Sequence, residues 1–232
     1  MTWLSADGLA AALCVGAAVY WGLGWRGAIL LFAFFISGSV WTRLATGRGA
    51  RRTARQVVAN GGVAAVAALF GGGTRGWPVA AAALAAAAAD TWATEVGAFS
   101  PFPPRLITTW APVARGVSGG VTALGTLGGV AGATLLAALG QLLAPEGSHA
   151  RFAVLGAAGV AGMLVDSALG ATLQGVYECA ACGARTEARD AVCHEPGRLI
   201  RGWRWLDNDA VNLAATLCGA AVVVLGSRWS PP

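Results

Sequence analysis

The sequence has no lysine: its sixteen basic residues are all arginine, and with eleven acidic residues they bring charge to only 12% of 232 positions. A water-soluble domain would expose too few polar groups at this charge density, which excludes that class. No internal repeat and no low-complexity linker is present. A single integral membrane domain over residues 1–232 is therefore expected, with the polar loop 177–206 as the one stretch long enough for a small appended module. The first apolar segment lacks the charged n-region of a secretory leader and resembles its successors, so it is expected to remain as a helix. No GxxxxGK[ST] run occurs, so the chain has no P-loop.

What is present is apolar: 56% of the residues are hydrophobic, and Gly and Ala are abundant. The small residues have two readings, a GC-rich genome or the close packing of membrane helices. Apolar runs at 7–23, 26–42, 57–71, 78–97, 118–143, 152–176 and 207–226 approach the length needed to cross a hydrocarbon core of about 30 Å. The expected fold is an all-α polytopic membrane bundle of about seven helices, with six or eight as alternatives. The third run is short for a full span, which predicts tilt or a re-entrant segment. Trp21, Trp25, Trp41, Trp77, Trp110, Trp203, Trp205 and Trp229 lie near segment ends, as an aromatic belt does.

The formal charge of +5 does not point to nucleic acid, because the arginines lie in short loops and form no basic face. Loops two, four and six carry Arg43, Arg48, Arg51, Arg52, Arg55, Arg105, Arg115, Arg185, Arg189, Arg198, Arg201 and Arg204, against Arg26, Arg75, Arg151 and Arg228 on the other side. Positively charged loops stay inside. This predicts a bacterial-type inner (plasma) membrane protein with its N-terminus and motif loops cytoplasmic and its C-terminus outside. Arg48, Arg51, Arg52 and Arg55 then read as anchors at lipid headgroups, with a phosphate contact by Arg55 or Asn60 left open.

Carboxylates in or beside apolar helices are costly unless paired or bound to a cation. Asp90, Glu95, Asp166, Asp207 and Asp209 are of this kind, and all five fall on the cytoplasmic side of the predicted topology. In DTWATEVG, Asp90, Thr94 and Gly97 share one helical stripe and Thr91 and Glu95 the next. In VDSALGATLQ, Asp166, Gly170 and Gln174 recur at spacing four with Ser167 beside them, and Gly170 admits another backbone or a ligand. WLDNDAVNL places Asp207, Asn208, Asp209 and Asn212 at a helix entry where an N-cap needs one such side chain. Oxygen donors in these numbers suit Mg²⁺, while a structural polar network is the alternative. Arg105, Thr108 and Arg115 lead into Ser118, Gly119 and Gly120 before the fifth helix, an arrangement suited to phosphate.

Cys14 and Cys218 fall in apolar segments and read as packing residues. Cys179, Cys182, Cys193 and His194 share one loop and supply ligands for a structural zinc ion, with unbound thiols as the alternative. His149 reads as a solvated loop residue.

The blocks ADTWATEVG, PRLIT, GVSGGVTALGT, LVDSALGATLQ and DNDAVNLAAT, together with the Cys-bearing loop, resemble in order the membrane family known as domain of unknown function ninety-two. That family includes a plant chloroplast phytyl-phosphate kinase and an animal transmembrane protein. The resemblance implies a helical bundle with an active site at the cytoplasmic face. Its motifs match Asp90, Thr94 and Glu95, then Arg105 and Thr108, then Ser118, Gly119 and Gly120, then Asp166 and Gln174, and last Asp207, Asn208 and Asn212.

The function so implied is Mg²⁺-dependent transfer of a phosphoryl group from a nucleoside triphosphate, CTP favoured, to a phytyl or other isoprenoid monophosphate in the membrane. Asp90, Glu95 and Asp166 would be catalytic; these with Asp207 and Asp209 would hold Mg²⁺; Arg105, Thr108, Arg115, Ser118, Gly119, Gly120 and Asn212 would contact nucleotide or phosphate. The alternatives are an ion-coupled transporter or flippase, which the missing repeat disfavours, and a nucleotidyl transferase making an activated lipid.

Overall fold

The computed structural model describes residues 3–47, 51–187 and 197–227. Among the described residues five helical runs are long and apolar enough to cross a membrane: Ala6–Thr46, Ala54–Gly97, Ala123–Leu142, Phe152–Thr172 and Asn208–Gly226. The expectation of about seven segments and this count of five are reconciled by two reversals.

Helix α1 (Ala6–Thr46) has 41 residues and would extend about 60 Å if straight. It doubles back at Gly24, whose backbone is non-helical (φ 66°, ψ −161°). A Cβ on Gly27 would lie 3.0 Å from Val19 Cγ1, and the Trp3 and Phe35 rings are 5.8 Å apart; a straight helix would hold Val19 and Gly27 about 12 Å apart. Helix α2 (Ala54–Gly71) starts at a capping box in which the Thr53 hydroxyl accepts from Gln56 N–H and the Gln56 side chain accepts from Thr53 N–H. A π-helical turn, Gly72–Gly76, then returns the chain into α3 (Trp77–Gly97), and a Cβ on Gly76 would collide with Ala67 O. The expected runs 7–23 and 26–42 are the two arms of α1, and 57–71 and 78–97 are α2 and α3. With 18 residues α2 is about 27 Å long, so no re-entrant loop is needed.

Two boundaries differ from expectation. The helix expected over 118–143 is α4 (Ala123–Leu142), because strand β2 (Gly120–Val121) pairs antiparallel with β1 (Arg105–Leu106), and Thr122 then caps the helix by accepting from Gly125 N–H. The helix expected over 152–176 is α5 (Phe152–Thr172). Its chain turns into β3 (Val176–Glu178), the centre of a three-stranded antiparallel sheet with β4 (Arg185–Thr186) and β5 (Arg198–Arg201). Helix α6 (Asn208–Ser227) closes the bundle.

Helix α3 is the axis. From Ala80 to Ala89 no side chain is more than 1% exposed, and glycines of its neighbours fit against its backbone. A Cβ would lie 2.8 Å from Ala88 O at Gly132 of α4, 3.1 Å from Ala85 O at Gly159 of α5 and 2.8 Å from Ala82 O at Gly219 of α6. The abundance of Gly and Ala therefore has a packing role. Trp77 is fully buried, with its indole N–H donated to Gly140 O (2.7 Å), so it is a core residue and not part of an aromatic belt. Leu13, Trp21, Phe32, Phe70, Leu127 and Leu225 are exposed on the outside of the bundle, as lipid-facing side chains are.

Both ends of α1, the start of α2, the end of α3, the start of α4, the end of α5 and the start of α6 share one end of the bundle. The contacts that show this are Ser5 N to Arg52 O (3.1 Å), Thr42 Oγ1 to Glu95 Oε1 (2.7 Å), Arg55 to Asp207 (2.5 Å), and the close approaches of Gly97 to Gly125 and Gly119 to Ala171.

Candidate functional site

At this polar end lies a cavity of about 600 Å³. Its floor is built by α3. One residue beyond the alanine run, Asp90 enters the cavity, and Thr94 and Glu95 follow on the next turn. Asp166 and Ser167 face them from α5, Asn208 and Asn212 from α6, Asn60 from α2 and Thr42 from α1.

Asp90 and Asp166 lie within hydrogen-bonding reach of each other. Asp166 Oδ2 is buried and has no hydrogen-bond partner among the described residues. Two carboxyl groups at this separation repel unless a proton or a cation joins them. Glu95 is held by the Thr42 hydroxyl (2.7 Å). Near it Arg52, on the link before α2, spreads its guanidinium over Phe34 and Phe35 at 5.9 and 5.2 Å. Burial lowers the Arg52 pKa and the charge of Glu95 opposes that shift, so the cavity has a basic group beside its carboxylates.

The opposite wall is the Gly-rich loop. Gly119 has φ 79° and its backbone rests on Ala171, where a side chain would collide. Gly170 completes the contact, because a Cβ there would lie 2.9 Å from Gly119 N. Its expected role of admitting another backbone is what the structure shows. Arg201 of β5 fastens the same helix end by donating to Ala171 O and Gly170 O, both at 2.8 Å. Arg115 lines the cavity while donating to Ala98 O (2.8 Å) and Ser100 O (2.5 Å), which ties the loop to the end of α3.

Across this loop reaches Glu187, which accepts from Ser118 N–H (3.1 Å), from the Ser118 hydroxyl and from the Gln174 amide (2.9 Å). Gln174 is 1% exposed and stands behind the cavity wall. Neither Glu187 nor Arg52 was singled out by the sequence. Glu187 sits 69 positions from Ser118 in a polar loop with no periodicity, and Arg52 is one arginine of a basic stretch.

Other expected site residues lie elsewhere. Arg105 donates to Trp110 O (2.7 Å) and is exposed, and Thr108 is exposed in the following turn. The short β1–β2 ladder keeps both out of the cavity lining. Asp207 and Asp209 pair with Arg55 at 2.5 and 3.4 Å, and Asp207 Oδ1 also accepts from Ala210 N–H (3.0 Å) as the cap of α6.

Among the described residues no group of three or more His, Cys, Asp or Glu side chains is arranged to hold a metal ion. Mg²⁺ does not require one: it commonly takes one or two protein carboxylates and completes its shell with water and substrate phosphates. The Asp90–Asp166 pair with its unpartnered oxygen fits that pattern. Cys179 is buried and Cys182 exposed in the β3–β4 turn, which Cys179 N to Ala184 O and Gly183 N to Cys179 O close at 2.9 Å each. The remaining expected zinc ligands, Cys193 and His194, lie outside the described residues.

No solved structure matches the chain. It is 29% identical to Protein PGR of Arabidopsis thaliana, over 91% of this chain and 85% of that protein. It is 31% identical to an uncharacterised membrane protein of Methanocaldococcus jannaschii, over 96% and 85%. It is 27% identical to Protein VTE6, chloroplastic, of Arabidopsis thaliana, over 99% and 67%. The family described as integral membrane protein DUF92 matches residues 1–220. The chain belongs to the DUF92 family of integral membrane proteins.

Proposed function

We propose that the chain is a membrane-embedded kinase that moves the terminal phosphoryl group of a nucleoside triphosphate onto a phytyl or other prenyl monophosphate. One observation carries this reading: a single cavity joins a carboxylate pair with an unpartnered buried oxygen to a Gly-rich loop whose N–H and O–H groups already hold an anionic side chain. The resemblance to a family that includes a phytyl-phosphate kinase supplies the substrate class and the preference for CTP.

The acceptor phosphate oxygen would form a bond to the terminal phosphorus as the bond from that phosphorus to the bridging oxygen breaks and the nucleoside diphosphate leaves. A phosphate monoester is largely ionised at neutral pH, with a second pKa of about 6, so no strong general base is needed. The protein's work is positioning and charge neutralisation. Asp90 and Asp166 would hold Mg²⁺, which when bound offsets the charge of the phosphates. Arg52 and the N–H and hydroxyl of Ser118 would orient phosphate oxygens, whereas the Gly120 N–H is taken by Val117 O (3.0 Å), and Asn208 and Asn212 would contact the nucleotide or its phosphates.

The axis of the bundle is filled by Ala80–Ala89 and its glycine contacts, so the prenyl tail would not run through the core. Met163 and Leu164, the latter 44% exposed, give the cavity an apolar edge toward the lipid. Orientation of the arginine-rich end toward the cytoplasm of a bacterial-type inner membrane would expose the cavity to nucleotides. Cys179 and Cys182 would supply two of the four ligands of a structural zinc site, with Cys193 and His194 as the others.

The test is purified protein in detergent with Mg²⁺, CTP, ATP or GTP, and phytyl, farnesyl or geranylgeranyl monophosphate, with lipid products read by mass spectrometry. Prenyl diphosphate together with nucleoside diphosphate is expected. Folded protein that forms no diphosphate with any pair overturns the reading, and a nucleotide-linked lipid replaces it with nucleotidyl transfer.

A further inference from the structure

Glu187 closes over the Gly-rich loop at the polar end of the bundle. It belongs to the segment after β4, and it reaches the Gly-rich loop to accept from Ser118 N–H, from the Ser118 hydroxyl and from the Gln174 amide. All three donors are neutral. Among the described residues no guanidinium pairs with it: Arg115 donates through both terminal nitrogens to Ala98 O and Ser100 O, and Arg201 through both of its own to Ala171 O and Gly170 O, leaving Arg201 Nε buried without a partner. Asp166 is close enough for its charge to repel that of Glu187. A carboxylate fixed for stability alone would gain more from a cation than from neutral donors beside a second carboxylate.

The donors, by contrast, are built in. Gln174 is 1% exposed, and the loop is set in place by the contact of Gly119 with Ala171 that Gly170 makes possible. Backbone N–H and hydroxyl donors from one residue, joined by a buried amide, suit the oxygens of a phosphate group. A phosphate arriving with a cation would also relieve the repulsion at Asp166.

We infer that Ser118 and Gln174 form a subsite for a phosphate group, and that Glu187 occupies it as an internal competitor which the ligand displaces. The inference rests on reading the cavity as a phosphate site and goes further: it assigns the donors and makes Glu187 a restraint on binding. The phosphate belongs to the nucleotide or to the lipid acceptor, and the two share the chemistry that the subsite recognises.

The test measures binding and needs no turnover, so a protein without kinase activity still returns an answer. Full-length wild type, Glu187→Gln, Glu187→Ala and Ser118→Ala in detergent with Mg²⁺ are titrated with inorganic pyrophosphate, a non-hydrolysable CTP analogue and a prenyl monophosphate. Removing the competing charge is expected to tighten pyrophosphate binding about five-fold or more, and Ser118→Ala to weaken it by a similar factor. Tighter binding of the CTP analogue alone assigns the subsite to nucleotide phosphates, and of the prenyl monophosphate alone to the acceptor; either supports the inference. Glu187→Gln, which keeps an acceptor for Ser118, guards against a change in fold. If both Glu187 variants melt as wild type does and bind every probe no more tightly, Glu187 is a structural contact and the inference fails.

Discussion

Along α3 two stretches of one helix meet opposite demands. From Ala80 to Ala89 the helix is sealed on every side, and its neighbours approach so closely that Gly132, Gly159 and Gly219 leave no room for a methyl group. From Asp90 to Gly97 the same helix carries carboxylates and hydroxyls and borders a cavity that α1, α2, α5 and α6 also line, while α4 stays packed against Ala93, Val96 and Gly97. The first stretch is held by dispersion and close backbone contact, the forces available to helices in lipid. The second bears a desolvation cost that a proton, a cation or a ligand has to offset. Stability and function are thus separated along the axis, and substitutions on either side of Ala89 should fail in different ways.

The largest effect is expected at Asp166. Asp166→Asn keeps the shape of the side chain and removes one charge of the pair, so it should lower kcat for prenyl diphosphate formation about 10²–10³-fold while the melting temperature holds or rises. Equal loss of activity and of stability would place Asp166 among the packing residues. On the sealed side, Gly162→Leu drives a side chain into Ala86 Cβ and toward Ala215 O, 2.8 Å from the position of a Cβ. Overpacking of this kind costs about 1–3 kcal/mol or more, to be read by unfolding in mixed detergent.

A smaller effect is expected from Arg52→Gln, which should raise KM for the nucleotide about ten-fold and leave kcat less changed; an unaltered KM would return Arg52 to a purely anchoring role. The smallest belongs to Arg55→Ala. The Arg55 side chain is 69% exposed in its pairs with Asp207 and Asp209, and exposed pairs contribute little, so neither activity nor melting temperature should move measurably. A clear loss of activity would draw Asp207 and Asp209 into the site after all.

The sequence carried the helical segments because apolar length is a local signal, and it placed the turns at Gly24 and Gly72–Gly76 between adjacent runs, although only the fold shows that the chain reverses there. Asp90, Glu95 and Asp166 were legible as a group since buried carboxylates stand out in an apolar background, and Gly170 was legible as a point of close approach. What escaped was decided by pairing over distance. The β1–β2 ladder converts the expected start of a helix at 118 into a loop and strand, and leaves Arg105 and Thr108 outside the cavity lining. The attraction of Arg55 for Asp207 and Asp209 links residues far apart in the chain. Glu187 lies in a stretch with neither periodicity nor motif, and only the fold brings it to Ser118. Arg52 was concealed by its neighbours Arg48, Arg51 and Arg55, whose shared charge reads as anchoring.

In the proposed kinase the Asp90–Asp166 pair holds a divalent cation together with phosphate. The most direct measurement is the electron paramagnetic resonance spectrum of Mn²⁺, a hard-cation substitute for Mg²⁺, titrated into detergent-solubilised protein with a non-hydrolysable CTP analogue. Wild type should bind the ion more tightly when the analogue is present, and Asp90→Asn and Asp166→Asn should each abolish that gain; Mn²⁺ binding that is the same in wild type and in both folded variants would contradict the account.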